Sequence, residues 1–338
     1  MKHVGIDLHM KYSEICELSE SGKVLTQCRI PTTEASLRRF FGRRKPRRVV
    51  IESGGLTSWV HRVISSFHHE VVVVNPRRVR LIAESTMKTD AADAEILARL
   101  SRFDPQLLHQ VYRRSDEAQH LRSRLRVRGA LVKSRTALIN TVRGIVRAQG
   151  YRLPSSTTSR FVERFVAAQI PEELRQLLDP LMETLVALNT QICSLDKELR
   201  ALAREDELLV RLQSIPGVGP LVSLAFVGWM DRADRFEKSR DVGACLGLRP
   251  SVRDSGGQSH HGSITREGDR EMRRLLVQAA HASLQCRQDS SLKRWGLQLI
   301  ERRGKGKAVV ALGRKISVLM HRLWVTGESF ECFPQGAH

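Results

Sequence analysis

Hydrophobic and polar positions alternate over short distances early in the chain and over helical distances later. Val4-Gly5-Ile6 is a short apolar run closed by Asp7 and reads as a strand. A second strand is predicted over 13–18, and Ser21-Gly22-Lys23 supplies a turn into a third over 24–30. Strands this close around a tight turn predict an antiparallel hairpin. Helical spacing follows over 33–41. Residues 48–52 form an apolar strand ending in Glu52, 58–67 read as a helix, and 71–74 are a further buried strand stopped by Asn75-Pro76.

The longer periods come next. Residues 115–149 predict one long helix, with Asp116 and Glu117 suiting the dipole at its start. Its seam is Leu121, Leu125, Leu131, Leu138, Val142 and Ile145, and much of the remainder is arginine and lysine. A second long helix carries Leu181, Leu185, Leu188, Ile192, Leu195, Leu199 and Leu202 at alternating spacings of four and three, a heptad seam. Asp179 is its expected cap, with Pro180 at the first position. The seam fits a hairpin within the chain or a contact with another subunit. Ser214 to Pro220, with Gly217 and Gly219, resembles the turn of a helix-hairpin-helix, which is either a plain structural turn or a backbone cradle for a phosphate. Within the region 241–274, the stretch that holds Ser251, Ser255, Ser259, Ser263 and His260-His261 reads as loop. The expected class is α/β plus α: an RNase H-like mixed sheet over 1–108, a basic helical or coiled-coil segment over 109–205, and a mainly helical domain over 206–330.

Charge narrows the function. Lys plus Arg number 56 against 36 Asp plus Glu, a formal charge of +20. A field of that size attracts polyanions, and nucleic acid is the commonest. Arg122, Arg126, Lys133, Arg266, Arg273 and Arg274 are the expected contacts, with Gly217 and Gly219 in the turn. The run from Arg302 to Lys307 reads as a solvated basic loop. The six cysteines are scattered, with no metal-binding or disulfide spacing, and fit reduced thiols. No signal-peptide pattern and no apolar run of membrane-spanning length is found. The expectation is a cytoplasmic protein with no membrane partner, associated with the nucleoid when acting.

Four acids supply candidate chemistry. Asp7 and Glu52 each end a strand, and Asp90 and Asp93 lie three apart where a helix begins, on one face of it. Neighbouring carboxylates repel unless a cation neutralises them, and an all-oxygen set suits Mg²⁺, with Mn²⁺ as a substitute. Two such ions can assist both oxygens of a phosphoryl transfer. Asp90 could instead cap the helix, and Glu95 could replace either aspartate as a ligand.

These residues carry a resemblance. Val4-Gly5-Ile6-Asp7, Val50-Ile51-Glu52-Ser53-Gly54-Gly55, Lys88-Thr89-Asp90 and Asp93-Ala94 look like the RuvC-like half of the DEDD transposases of bacterial insertion sequences. Gly247-Leu248-Arg249-Pro250, Asp254-Ser255-Gly256, the run Gly262 to Gly268 and Arg273-Arg274-Leu275 resemble that family's C-terminal transposase domain. The likeness spans nearly the whole chain. It departs after Glu52, where Ser-Gly-Gly stands in place of a small residue followed by Thr-Gly. The resemblance implies an RNA-guided recombinase acting on donor and target double-stranded DNA with a structured non-coding RNA. It implies Asp7, Glu52, Asp90 and Asp93 as Mg²⁺ ligands and Ser255 as a nucleophile that forms a phosphoserine link. It also implies a homo-oligomer, dimer or tetramer, in which the two domains meet at a composite site. Ser251, Ser259 and Ser263 lie close to Ser255, and the residues alone do not choose among them.

Two rival functions fit parts of the same pattern. A Holliday-junction-resolvase-like endonuclease would share the acids and the basic surface and use water as its nucleophile. A non-catalytic RNA- or DNA-binding protein would keep the fold and lack a working metal site.

Overall fold

The computed structural model describes residues 1–75, 89–102, 110–255 and 258–333, the side chains of 252–261 excepted. The chain divides into two compact units, Met1–Arg113 and Arg114–His338.

The first unit is built on a five-stranded sheet of order β3-β2-β1-β4-β5. Its strands are β1 (His3–Leu8), β2 (Tyr12–Leu18), β3 (Val24–Pro31), β4 (Arg48–Glu52) and β5 (Glu70–Val74). β1, β2 and β3 pair antiparallel, as the close spacing predicts, while β4 lies parallel to β1 and β5 parallel to β4. This mixed sheet fits an RNase H-like domain. Both faces are covered, which is why the central strands read as unbroken apolar runs. On one face α1 (Glu34–Phe41) and α2 (Thr57–Ser65) pack Leu37, Phe41, Val60 and Ile64 against Val4, Ile6, Val49 and Ile51. On the other, α3 (Asp90–Leu100) packs Leu97 and Leu100 on Val50, Val72 and Val74, and Ala94 and Ala98 on Cys16 and Leu18.

Gly5 decides how closely α3 approaches. A Cβ there would lie 2.1 Å from the Ala94 carbonyl oxygen and 2.2 Å from the Ala98 nitrogen. Only a residue without a side chain lets the helix backbone rest on β1.

The second unit is mainly helical. α4 (Asp116–Ala148) and α6 (Glu172–Glu205) run antiparallel, with short α5 (Phe161–Val166) beside them. Ile139, Val142 and Val146 meet Leu178, Met182 and Leu185, together with Phe161 and Phe165. Arg128 donates to both carboxylate oxygens of Asp196 at 2.5 and 3.2 Å, and Arg135 donates to Asn189 at 3.1 Å. The heptad seam therefore packs within the chain. α6 does not start where Asp179 predicts: it begins at Glu172, and Pro180 lies inside it. Leu174 and Leu178 extend the seam upstream and are buried against the same cluster. That packing outweighs the helical hydrogen bond that proline cannot donate.

α7 (Glu207–Gln213) leads through the Gly217–Gly219 turn into α8 (Pro220–Met230), which is buried nearly throughout. Around it lie α9 (Ser239–Cys245), α10 (Arg270–Gln285), α11 (Ser291–Arg303) and α12 (Lys305–Thr326). The region read as loop is instead a hairpin, β6 (Pro250–Ser255) with β7 (Gln258–Ile264). Its Asp, Gly and Ser content is poor for strands, and the order comes from the base. There Thr265 N–H donates to the Arg249 carbonyl at 3.0 Å, and Gly247 and Gly268 leave room for the backbones of Glu267 and Cys245. Among the described residues, no helix is long and apolar enough to cross a membrane.

A carboxylate and imidazole cluster as candidate metal centre

Side chains alternate along a strand, and directly paired residues of neighbouring strands share a face. Gly5 faces α3, so Asp7, two residues on, faces it too. Gly5 pairs with Cys16 and Asp7 with Glu14, which places Tyr12 and Glu14 on that face as well. Glu14 pairs with Arg29, and Gly5 with Val50, so Arg29 and Glu52 follow. A turn at Met10-Lys11, closed by His9 N–H donating to the Tyr12 carbonyl at 3.0 Å, brings His9 over the same ground.

α3 contributes from above. Thr89 caps it, its hydroxyl accepting from Ala92 N–H at 3.2 Å. Thr89, and not Asp90, satisfies the helix end, so the Asp90 carboxylate is free to meet the sheet. It accepts from the Tyr12 hydroxyl at 3.0 Å and lies 3.5 Å from His9 Nε2 and 3.9 Å from the Arg29 guanidinium. His9 Nε2 is 2.9 Å from Asp7 Oδ2. Ligating atoms of Asp7, His9 and Asp90 all lie within 4.8 Å of one another.

The other two acids stand near this group and outside it. Asp93, one helical turn after Asp90, is close enough to act on the charge of Asp7. Glu52 ends β4, and the turn after it is braced by Thr57, whose hydroxyl donates to the Glu52 carbonyl at 2.8 Å and accepts from Gly54 N–H at 2.7 Å. Glu95 is engaged with Arg99 one turn along the helix.

Burial pushes the Asp7 carboxyl above the usual carboxylate range, and the charges of Asp90 and Asp93 add to this while His9 opposes it. A cation would relieve that strain, and the donor set of carboxylates with one imidazole fits a divalent ion. His9, Tyr12 and Arg29 were not singled out by the sequence. Strand parity was the available signal, since Asp7 and His9 are two apart and Tyr12 opens the paired strand.

In the second unit Ser255 is the last residue of β6 and pairs with Gln258. The basic candidates divide. Arg122 donates to Asp269 at 2.7 Å, with both side chains largely buried. Arg273 donates to the Leu246 carbonyl at 3.0 Å and to the Glu267 carbonyl, bracing the base of the hairpin. Arg274 pairs with Glu271 within α10. Arg266 has left-handed backbone at φ 57° and its N–H donates to the Gly247 carbonyl. Gly217, at φ 90°, packs against α10, where a Cβ would lie 2.2 Å from the Ala279 carbonyl. Gly219 is open, precedes α8, and borders a cleft lined by Arg128, Arg200 and Pro220. Arg126 and Lys133 are exposed on α4.

Comparison with known proteins agrees with both halves. A DEDD family of IS110 type, described as transposase, matches residues 4–149. The family described as Transposase IS116/IS110/IS902 matches residues 210–295. A transposase for insertion sequence element IS1111A of Coxiella burnetii is 30% identical, over 98% of this chain and 92% of its own. A probable family 20 transposase of Pseudomonas aeruginosa is 29% identical over 99% of each chain. The transposase for IS1328 of Yersinia enterocolitica is 29% identical over 93% of this chain and 94% of its own.

Proposed function

This chain belongs to the IS110/IS116 family of insertion-sequence transposases, and we propose that it exchanges DNA strands through a phosphoserine link at Ser255, with a divalent ion held by the Asp7 cluster. The observation that carries the metal half is the meeting of Asp7 and Asp90, which come from distant segments and which Thr89 and Gly5 jointly permit. Transposases cleave and rejoin DNA, and a formal charge of +20 supports a polyanionic partner.

Asp7, Asp90, Glu52 and Asp93 would hold Mg²⁺. When bound, that ion supplies Lewis-acid stabilisation of charge on phosphoryl oxygens. The side chains do the rest of the positioning: Tyr12 fixes the Asp90 carboxylate by its hydroxyl, and the Thr57 hydroxyl holds the turn that carries Glu52.

At Ser255 the exchange is balanced without an energy donor. The Oγ–phosphorus bond forms as a bridging phosphorus–oxygen bond of the DNA breaks. The serine proton leaves, and the departing strand oxygen takes up a proton. Attack by another strand's hydroxyl reverses both changes and rejoins the DNA. The end of a two-stranded hairpin, where Ser255 lies, is a place from which the chain can approach a duplex backbone, which supports this role. A structured RNA of the element pairs with donor and target and sets the sequence, and exposed Arg126 and Lys133 with the open turn at Gly219 hold nucleic-acid backbone. The acting form is a homo-oligomer.

The test is a denaturing gel. Protein, element RNA, donor and target DNA and Mg²⁺ should give an RNA-dependent covalent protein–DNA adduct that Ser255→Ala abolishes. Cleavage without an adduct, equal in the variant, would mean that water attacks and would put a resolvase-like endonuclease in its place.

A further inference from the structure

The carboxylates account for only part of the cluster beside Asp7. His9 Nε2 is its third ligating atom, 2.9 Å from Asp7 Oδ2 and 3.5 Å from Asp90 Oδ2. Ligands in adjacent positions around an octahedral ion, with bonds of about 2.1 Å, lie about 3 Å apart. Both distances from His9 Nε2 are close to that spacing, and all three atoms lie within 4.8 Å of one another.

The imidazole is also held in place. Its ring lies 4.7 Å from that of Tyr12 at a 34° tilt, and the Arg29 guanidinium covers the Tyr12 ring at 4.2 Å. Tyr12 and Arg29 both address Asp90 Oδ2 as well, so one stack orients the imidazole and the carboxylate together. Met10, next to His9, is 79% exposed, and His9 itself is partly exposed, so an ion reaches this edge from solvent.

We propose that His9 Nε2 is a ligand of the metal centre, and that this nitrogen makes the centre hold Mn²⁺ more tightly than Mg²⁺. The inference rests on reading Asp7 and Asp90 as metal ligands. An all-oxygen set would discriminate weakly between these ions, whereas imidazole favours transition metals over Mg²⁺. Mg²⁺ also gives up its water shell reluctantly, which adds to the difference.

Mn²⁺ alone is the probe, added to the full chain without nucleic acid. Electron spin-echo envelope modulation of the bound ion should show coupling to a directly bonded nitrogen, which changes predictably when histidine is labelled with ¹⁵N. His9→Ala should lose that coupling, weaken Mn²⁺ binding about 10- to 100-fold and affect Mg²⁺ binding far less, with unchanged circular dichroism. If the variant fails to fold, the labelled wild-type spectrum still decides whether a histidine binds, and Tyr12→Phe, which keeps the ring beside His9 and removes the hydroxyl that holds Asp90, should keep the coupling while Mn²⁺ binding weakens. Tight Mn²⁺ binding with no nitrogen coupling, or coupling that survives in His9→Ala, would overturn the assignment of His9 and leave the carboxylate centre standing. No Mn²⁺ binding by the wild type would overturn both.

Discussion

Asp7 is held against its preference for charge: burial raises its pKa, and Asp90 and Asp93 raise it further. For an acid whose folded pKa is raised, the sign is fixed. The fold gains stability where the group is protonated and loses it as pH rises through the folded pKa. At neutral pH and without metal, Asp7→Asn should therefore raise the melting temperature. That advantage should shrink as pH falls and Asp7 takes up its proton, and a difference that grows toward acid would reject the account. With Mn²⁺ present the order should reverse, because only the carboxylate gains from the ion. Arg122 poses the opposite case. Burial alone would raise Asp269, but the Met272 N–H and the Arg122 guanidinium overcome this and hold it below the usual range. That contribution is present at neutral pH and is lost as pH falls through the folded pKa. Arg122→Ala should cost about 2 kcal/mol of stability, the size of a charge-assisted hydrogen bond, as measured by urea unfolding. Arg126→Gln with Lys133→Gln should leave stability within about 0.5 kcal/mol. The same pair should flatten the salt dependence of DNA binding, lowering the slope by roughly 0.9 for each phosphate no longer neutralised. If the exposed pair alters unfolding and Arg122 alters only binding, the division of labour drawn from their partners is wrong.

At the scale of elements, the position of α3 is set by β1 and by its own cap. Gly5→Ala inserts a methyl group against backbone atoms of Ala94 and Ala98, which cannot rotate away. The expected cost is about 3 kcal/mol, together with weaker Mn²⁺ binding as Asp90 is lifted off the sheet. Thr89→Ala should cost about 1 kcal/mol through the lost cap, and chemical denaturation with a Mn²⁺ titration reads both. The strands that frame this site were legible, because runs such as Val49-Val50-Ile51 and Val71-Val72-Val73 are buried on both faces and bounded by turns. The meeting of Asp7 and Asp90 was legible too, whereas their close partner His9 was not, because a single histidine after a strand has no signal until the strand's parity is fixed. Pro180 misled for a related reason: a proline after an aspartate looks like a helix start, and only the burial of Leu174 and Leu178 shows that the helix began earlier. The β6–β7 hairpin was illegible because its order comes from the interlocked glycines at its base and not from its own residues.

Over the whole molecule, the two units have separate cores. Val4, Ile6, Phe41 and Ile51 belong to one, and Leu212, Phe226, Leu276 and Ile316 to the other, and neither cluster draws residues from both units. A chain with two cores need not unfold in one step, so calorimetry of the metal-free protein should resolve two transitions. Their assignment follows from changes argued at smaller scales. Gly5→Ala should lower only one of them, and Arg122→Ala only the other. If the Asp7 cluster holds Mn²⁺ as proposed, the ion should raise the transition that Gly5→Ala lowers, by an amount that grows with the logarithm of its concentration above the dissociation constant. The second transition should stay where it is. A duplex DNA, in contrast, should raise the transition assigned through Arg122 if exposed Arg126, Lys133 and the turn at Gly219 hold its backbone, and salt should erase that shift. A single transition that moves as a whole with Mn²⁺, with DNA and with either substitution would mean that the two cores unfold together, and the independence of metal and nucleic-acid binding would fall with it.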